Sequence, residues 1–160
     1  MAIFMKFGTE KGEVSAEGYK EWIELQSMQW GVGRGISAGV GGASKREASA
    51  PSVSEITVSK TMDAFSPLAL KEALGGKGCE VKLDITRTDA DGKHHAFQKY
   101  VLDNVLISGY SISSGGDRPS ESLSLNFTKV NSEYVKIDDK YAETTTGHVM
   151  YDLSLAKTTV

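Results

Sequence analysis

Several separate stretches of this chain repeat their apolar residues at every second position. Only a strand with one buried face puts alternate side chains on one side, so the period of two commits most of the chain to β-structure. Val81, Leu83 and Ile85 alternate with Glu80, Lys82, Asp84 and Thr86, and Leu123, Leu125 and Phe127 alternate with Ser122, Ser124, Asn126 and Thr128. Ile56 and Val58 mark another strand, and Val149, Tyr151, Leu153 and Leu155 mark a closing one. About seven or eight half-buried antiparallel strands are expected. With 160 residues, 39% of them hydrophobic and 24% charged, the chain has the size and composition of one folded domain spanning residues 1–160.

One segment changes phase. Ile23 and Leu25 share a parity, Met28 and Trp30 have the opposite one, and Gln26-Ser27 lies between. A bulge or bend there returns both pairs to the core, since one extra residue flips the facing of everything beyond it. An amphipathic helix over residues 19–30 is the competing reading; the aromatics and the following glycine tract favour the strand. A single short helix is expected over residues 66–74. Ser66 would be its N-cap, Pro67 its first helical position, Leu68, Leu70, Lys71 and Leu74 its apolar side, and Gly75-Gly76 its stop. Such a helix among many strands suits a barrel whose open end is plugged. Asp91-Gly92 reads as a tight hairpin turn and residues 113–117 as another connection. Residues 31–51 are rich in glycine and small side chains without apolar periodicity, and read as a long extended loop that a neighbouring molecule would order.

The chemistry-bearing residues do not assemble into a catalytic or metal motif. Gly33-Arg34-Gly35-Ile36-Ser37-Ala38 fits G-x-G-x-x-A, but that fingerprint needs a helix to start there, and glycine and serine follow instead. The Asp89-Ala90-Asp91-Gly92 stretch has Arg87 and Gln98 where a calcium loop needs its first and last carboxylates. Adjacent His94 and His95 point to opposite faces of a strand, and His148 is remote. Cys79 is the single cysteine and has no activating cation nearby in sequence. No enzyme activity, cofactor or metal is expected. The net charge of −3 and the lack of a basic block argue against nucleic acid. No apolar run approaches the roughly 20 residues that cross a bilayer, and the N-terminus lacks the apolar core of a signal peptide.

The strand faces opposite the core carry small uncharged groups, as with Ser122, Ser124, Asn126 and Thr128, or Ser111 and Ser113. Outer surfaces of monomers are usually richer in Lys and Glu, so these faces suit a shared channel or a contact with a neighbour better than the remaining alternative, a plain outer surface. Several segments in this order resemble the Hcp family, the hemolysin-coregulated proteins of the bacterial type VI secretion system. They are Trp30-Gly31 before the glycine-rich loop, Val58-Ser59-Lys60-Thr61-Met62-Asp63 leading into Ser66-Pro67-Leu68, Gly116-Asp117-Arg118-Pro119 followed by residues 121–127, and the closing Gly147-His148-Val149-Met150-Tyr151-Asp152-Leu153.

The resemblance implies a compact antiparallel β-barrel with one short helix and an extended loop, assembling into hexameric rings that stack into a tube. It implies a structural protein propelled by a contractile sheath, carrying a spike and small effectors, and leaving the bacterial cytoplasm without a signal peptide. Gln29, Ser111 and Ser113 are the expected effector contacts in the lumen. Gly33, Arg34, Gly39, Gly41, Gly42, Lys45 and Arg46 are the expected ring or stacking contacts, and the charges at Lys45-Arg46-Glu47 have no assigned partner. A phage-type tail tube protein shares the same assembly physics, and a monomeric ligand-binding β-barrel is the alternative from a different class.

Overall fold

The structure, a computed structural model, describes residues 1–39, 41 and 46–160. In chain order the strands are β1 (Ala2–Phe7), β2 (Ile23–Leu25), β3 (Ser27–Gln29), β4 (Val32–Gly33), β5 (Ile36–Ala38), β6 (Arg46–Ala48), β7 (Ser52–Val53) and β8 (Ile56–Thr61). The helix α1 (Ser66–Gly75) follows, and then β9 (Cys79–Thr88), β10 (His94–Ser113), β11 (Ser120–Asn126), β12 (Lys129–Ile137), β13 (Glu143–Asp152) and β14 (Lys157–Thr159). The alternation read from the sequence becomes the core. Val81, Leu83, Ile56, Val58, Leu123 and Leu125 are fully buried, together with Ile23 from β2 and Leu102 and Val105 from β10.

Every ladder is antiparallel, and β10 organises them. Its residues 94–105 pair with β9 and residues 98–103 also with β12, while residues 106–113 pair with β11. One layer runs β2-β1-β9-β10-β12-β13-β14 and the other β3-β8-β11-β10. The core lies between them, closed by α1, whose Phe65 flank and Ala69 are wholly buried and whose Phe65 ring lies 5.3 Å from that of Phe7.

The expected closed barrel does not form. Among the described residues β2 pairs only with β1 and β3 only with β8, so no ladder continues from one to the other and the two layers share ladder pairing only through β10. The chain itself crosses at Gln26, whose amide donates to Ser59 O at 2.8 Å. Alternation shows that a strand has an inner and an outer face, but it does not say which edges meet. The phase change at Gln26-Ser27 moves the chain from one layer to the other, and two three-residue strands are too short to carry a ladder in common. Both flanks of the change do face inward: Ile23 and Leu25 are buried, and Met28 and Trp30 pack against the core.

Three further expectations change. Ser66 is the first helical residue rather than the cap; Phe65 holds the cap position with no side-chain bond. The Ser66 hydroxyl is drawn instead to the buried Glu121, at 2.8 Å, and Asp63 Oδ1 takes up the Phe65 amide at 2.9 Å. The buried side of α1 is Ala69 with Leu68 and Ala73, whereas Leu70 and Leu74 face solvent at 45% and 82% exposure. The closing strand ends at Asp152, where Oδ1 accepts from the amides of Ser154 and Leu155 and turns the chain, so Leu155 lies outside. The long loop carries secondary structure: β4 pairs with β7 and β5 with β6, which makes it an arm of two short ladders.

Candidate functional site

Cross-strand partners lie on the same side of a sheet, so the register of β3-β8-β11-β10 arranges the outward side chains into rows. Ser27, Ser59, Ser122 and Ser111 form one row across four strands. Gln29, Thr57, Ser124 and Gly109 form the next, and Thr61, Ser120 and Ser113 a third. The result is a face of hydroxyl and amide groups, with the Ser27 and Ser59 hydroxyls bonded to each other and Gln26 Nε2 donating to Thr61 Oγ1 at 2.7 Å. It exists because each strand keeps its large apolar residues in the other phase: Met28, Val58, Leu123 and Tyr110 lie on the reverse side of the serine row.

Gln29, Ser111 and Ser113 are all exposed and fall on this one face, each in a different row. Sequence reasoning singled out the polar phases of β10 and β11 but missed Ser27 on β3 and Thr57, Ser59 and Thr61 on β8. Their signal was present, because Thr57, Ser59 and Thr61 alternate with Ile56, Val58 and Lys60. Both lateral edges of this four-stranded layer lack partners among the described residues. β3 pairs only with β8, and residues 106–113 of β10 pair only with β11. Three antiparallel steps separate them, so β3 and β10 run in opposite directions.

A buried ionic cluster fixes the layer to the helix. Lys60 and Glu121 face each other across β8 and β11, both side chains wholly inaccessible, with Nζ 2.8 Å from Glu121 Oε2 and 2.7 Å from Asp63 Oδ1. The Tyr110 hydroxyl donates to the other carboxylate oxygen of Glu121. Burial pushes the Glu121 carboxyl upward, but the hydrogen bonds from Lys60, Tyr110 and Ser66 and the Lys60 charge outweigh it and hold the group below its usual value. With both charged side chains sealed from solvent, the cluster acts as a structural brace.

Of the expected stacking residues, Gly33, Arg34, Gly39, Gly41 and Arg46 are exposed on the glycine-rich arm. Gly33 pairs with Ser52, and Arg46 pairs with Ala38 at the outer ladder. Gly39 is exposed and Gly41 turns the chain at a φ of 121°, a left-handed value that glycine tolerates. Gly42 and Lys45 lie outside the described residues. Arg34 borders an apolar groove of about 360 Å³, whose walls include Trp30, Val53, Val130 and Tyr151. The G-x-G-x-x-A segment runs into β5 instead of a helix, so no helix N-terminus is aimed at a phosphate there. His95 is taken up by Asp89 and Glu143, at 2.9 and 3.2 Å, while His94 Nδ1 lies near the Thr86 and Thr88 hydroxyls. Burial foremost, then Glu72 and Glu10, push the Cys79 thiol up to about 11, away from a reactive thiolate. Among the described residues no group of three or more His, Cys, Asp or Glu is placed to hold a metal ion, and no helix is long and apolar enough to cross a membrane.

Residues 4–134 match the family described as "Type VI secretion system effector, Hcp". No curated protein matches the sequence significantly. Among solved structures, one described as a type six secretion system protein is 25% identical with a TM-score of 0.86, over 99% of each chain. Hcp1 from Salmonella typhimurium is 23% identical with a TM-score of 0.74, covering 99% of this chain and 98% of its own. A type VI secretion system effector from Yersinia pestis is 20% identical with a TM-score of 0.71, over 94% of this chain and 98% of its own.

Proposed function

This chain belongs to the Hcp family of type VI secretion system effectors, and from that premise we propose that it is the subunit of the secretion tube: a hexamer whose rings stack and carry small effectors in the lumen. The observation that carries this reading is the hydroxyl face bounded by two free edges of opposite direction. β10 of one copy meets β3 of the next in the antiparallel sense that every other ladder in the molecule uses. Each copy then presents two different patches, an interface that closes into a ring when the rotation per copy divides a full turn. Pairing removes the exposed edges, which are otherwise templates for aggregation.

On this reading residues 1–160 act as one domain, and the hydroxyl faces of successive copies form one continuous inner wall. Gln29, Ser111 and Ser113 contact effectors there. Neutral hydrogen bonds add only about 0.5–1.5 kcal/mol each, which suits cargo that must be held and later released, and repetition around the ring multiplies them. The arm supplies contacts between stacked rings through Gly33, Arg34, Gly39, Gly41, Gly42, Lys45 and Arg46, because two-stranded ladders this short are not stable alone. The other partners are the contractile sheath and the spike, and the protein moves from the bacterial cytoplasm to the outside through the apparatus. The role is structural and needs no cofactor.

Mass photometry across salt and protein concentration tests the reading directly. Six-subunit particles are expected, and a persistent monomer would overturn it. Gln29→Arg and Ser113→Arg, introduced into rings shown to be intact, are expected to reduce co-purification of a small effector. Unchanged capture by both would remove the effector role from these positions.

A further inference from the structure

Among the described residues Glu55 is the only charged one on the hydroxyl face. It precedes β8 in the same phase as Thr57 and Ser59, beside Asn126 of β11 and next to the row that contains Gln29. Its carboxylate is held in place: Asn126 Nδ2 donates to Oε1 at 3.2 Å, and the Ser108 hydroxyl donates to Oε2. Ser108 reaches it because the β10–β11 register shifts between Ile107 and Gly109, leaving Ser108 without a cross-strand partner. An extra residue of this kind bends the strand and re-aims a side chain.

The two neutral donors orient the carboxylate without cancelling its charge. Among the described residues Glu55 forms no ion pair, although other exposed carboxylates do, such as Glu21 with Lys11 and Glu13 with Arg118. We propose that Glu55 makes the inner face selective for cargo that presents Lys or Arg side chains to the wall. The inference rests on the tube reading, since one carboxylate per copy becomes an anionic band only when copies close into a ring. A fixed carboxylate in an uncharged surround attracts a cation at modest strength, is screened within about 8 Å at physiological salt, and gains by repetition. Cargo bearing acidic groups meets the same band as repulsion.

The test uses rings of the wild type, Glu55→Gln and Glu55→Lys, each verified by mass photometry. The probes are three fluorescent peptides of equal length, Gly-Ser repeats carrying several lysines, several glutamates or no charge. Fluorescence anisotropy at low salt is expected to show the lysine peptide binding wild-type rings about tenfold tighter than the glutamate peptide. That preference is expected to vanish in Glu55→Gln, whose amide keeps the shape of the group, and to reverse in Glu55→Lys. Intact wild-type rings that bind all three peptides alike, or an undiminished preference in Glu55→Gln, would overturn this inference and leave the tube reading standing. Wild-type protein that forms no rings would overturn the tube reading, and the inference with it.

Discussion

Lys60 illustrates how far single residues can be read. It stands in phase with Ile56 and Val58, so the pattern marks a buried position, as the phase of Leu123 and Leu125 does for Glu121. What the pattern does not contain is that these two positions face each other across β8 and β11. Pairing is long-range, and so the compensation of one charge by the other was invisible. Lys60→Met leaves Glu121 buried without its cation and is expected to destabilise the protein by about 3–5 kcal/mol in urea titration. Adding Glu121→Leu to that variant should recover part of the loss, since the wholly buried carboxylate is then gone and only Asp63, at 13% exposure, is left without its cation. His95 gives a second residue-scale prediction. Asp89 first, and then Glu143, hold its imidazolium by hydrogen bonds and raise its pKa above 6.5, against the opposing effect of burial. The ring also stacks on Tyr141, at 5.1 Å, and Arg87 lies over the other ring at 5.3 Å. A raised folded value means stabilisation that is complete below 6.5 and is lost as pH rises through the folded pKa. Thermal unfolding should therefore show stability falling over that window in the wild type and a flatter profile in His95→Gln.

At the scale of elements, local periodicity found core strands and the place of the helix, but it missed the short strands of the arm and did not contain the neighbours that decide ends and faces. The α1 boundary shows the reason. Ser66 has the composition of a cap, yet its hydroxyl bonds to Glu121, which is 55 residues away in the chain. Leu70 and Leu74 look like a buried side only if the helix packs through them, and the position of Phe65 against Phe7 turns that side outward. The face of the strand ending at Gln29 was legible because parity alone determines it. Trp30 is half-buried, edge-on to Tyr100 at 5.7 Å, and its Nε1 donates to Ser54 O at 3.1 Å. Trp30→Ala is expected to cost about 3 kcal/mol, near the low end for large aromatics, while Gln29→Ala stays within about 0.5 kcal/mol. Denaturant titration of both variants checks the facing, and equal losses would contradict it. The arm is a separate case: residues 31–51 lack apolar periodicity, and the β5 and β6 strands within them are exposed along their length. Deleting residues 37–48 should leave the rest folded, with a melting temperature within a few degrees of wild type.

For the whole molecule, the mainly antiparallel β character with one helix was legible in the sequence, whereas closure was not. A barrel and two layers joined along one strand bury the same alternating residues; they differ in the pairing of strand edges, on which alternation is silent. The open arrangement has its own consequence, carried by the 20-residue strand β10. Since β10 supplies hydrogen bonds to both layers, neither layer can detach and leave the other intact: releasing β9 and β12 frees one half of the strand, and releasing β11 frees the other. The two layers then make up one unit of folding, with the arm outside it. Amide hydrogen exchange should resolve this as a single slowest class. The protected amides of Leu102, Ile107, Leu123 and Val81, drawn from both layers, are expected to exchange at one common rate set by global opening, while those of the arm exchange far earlier.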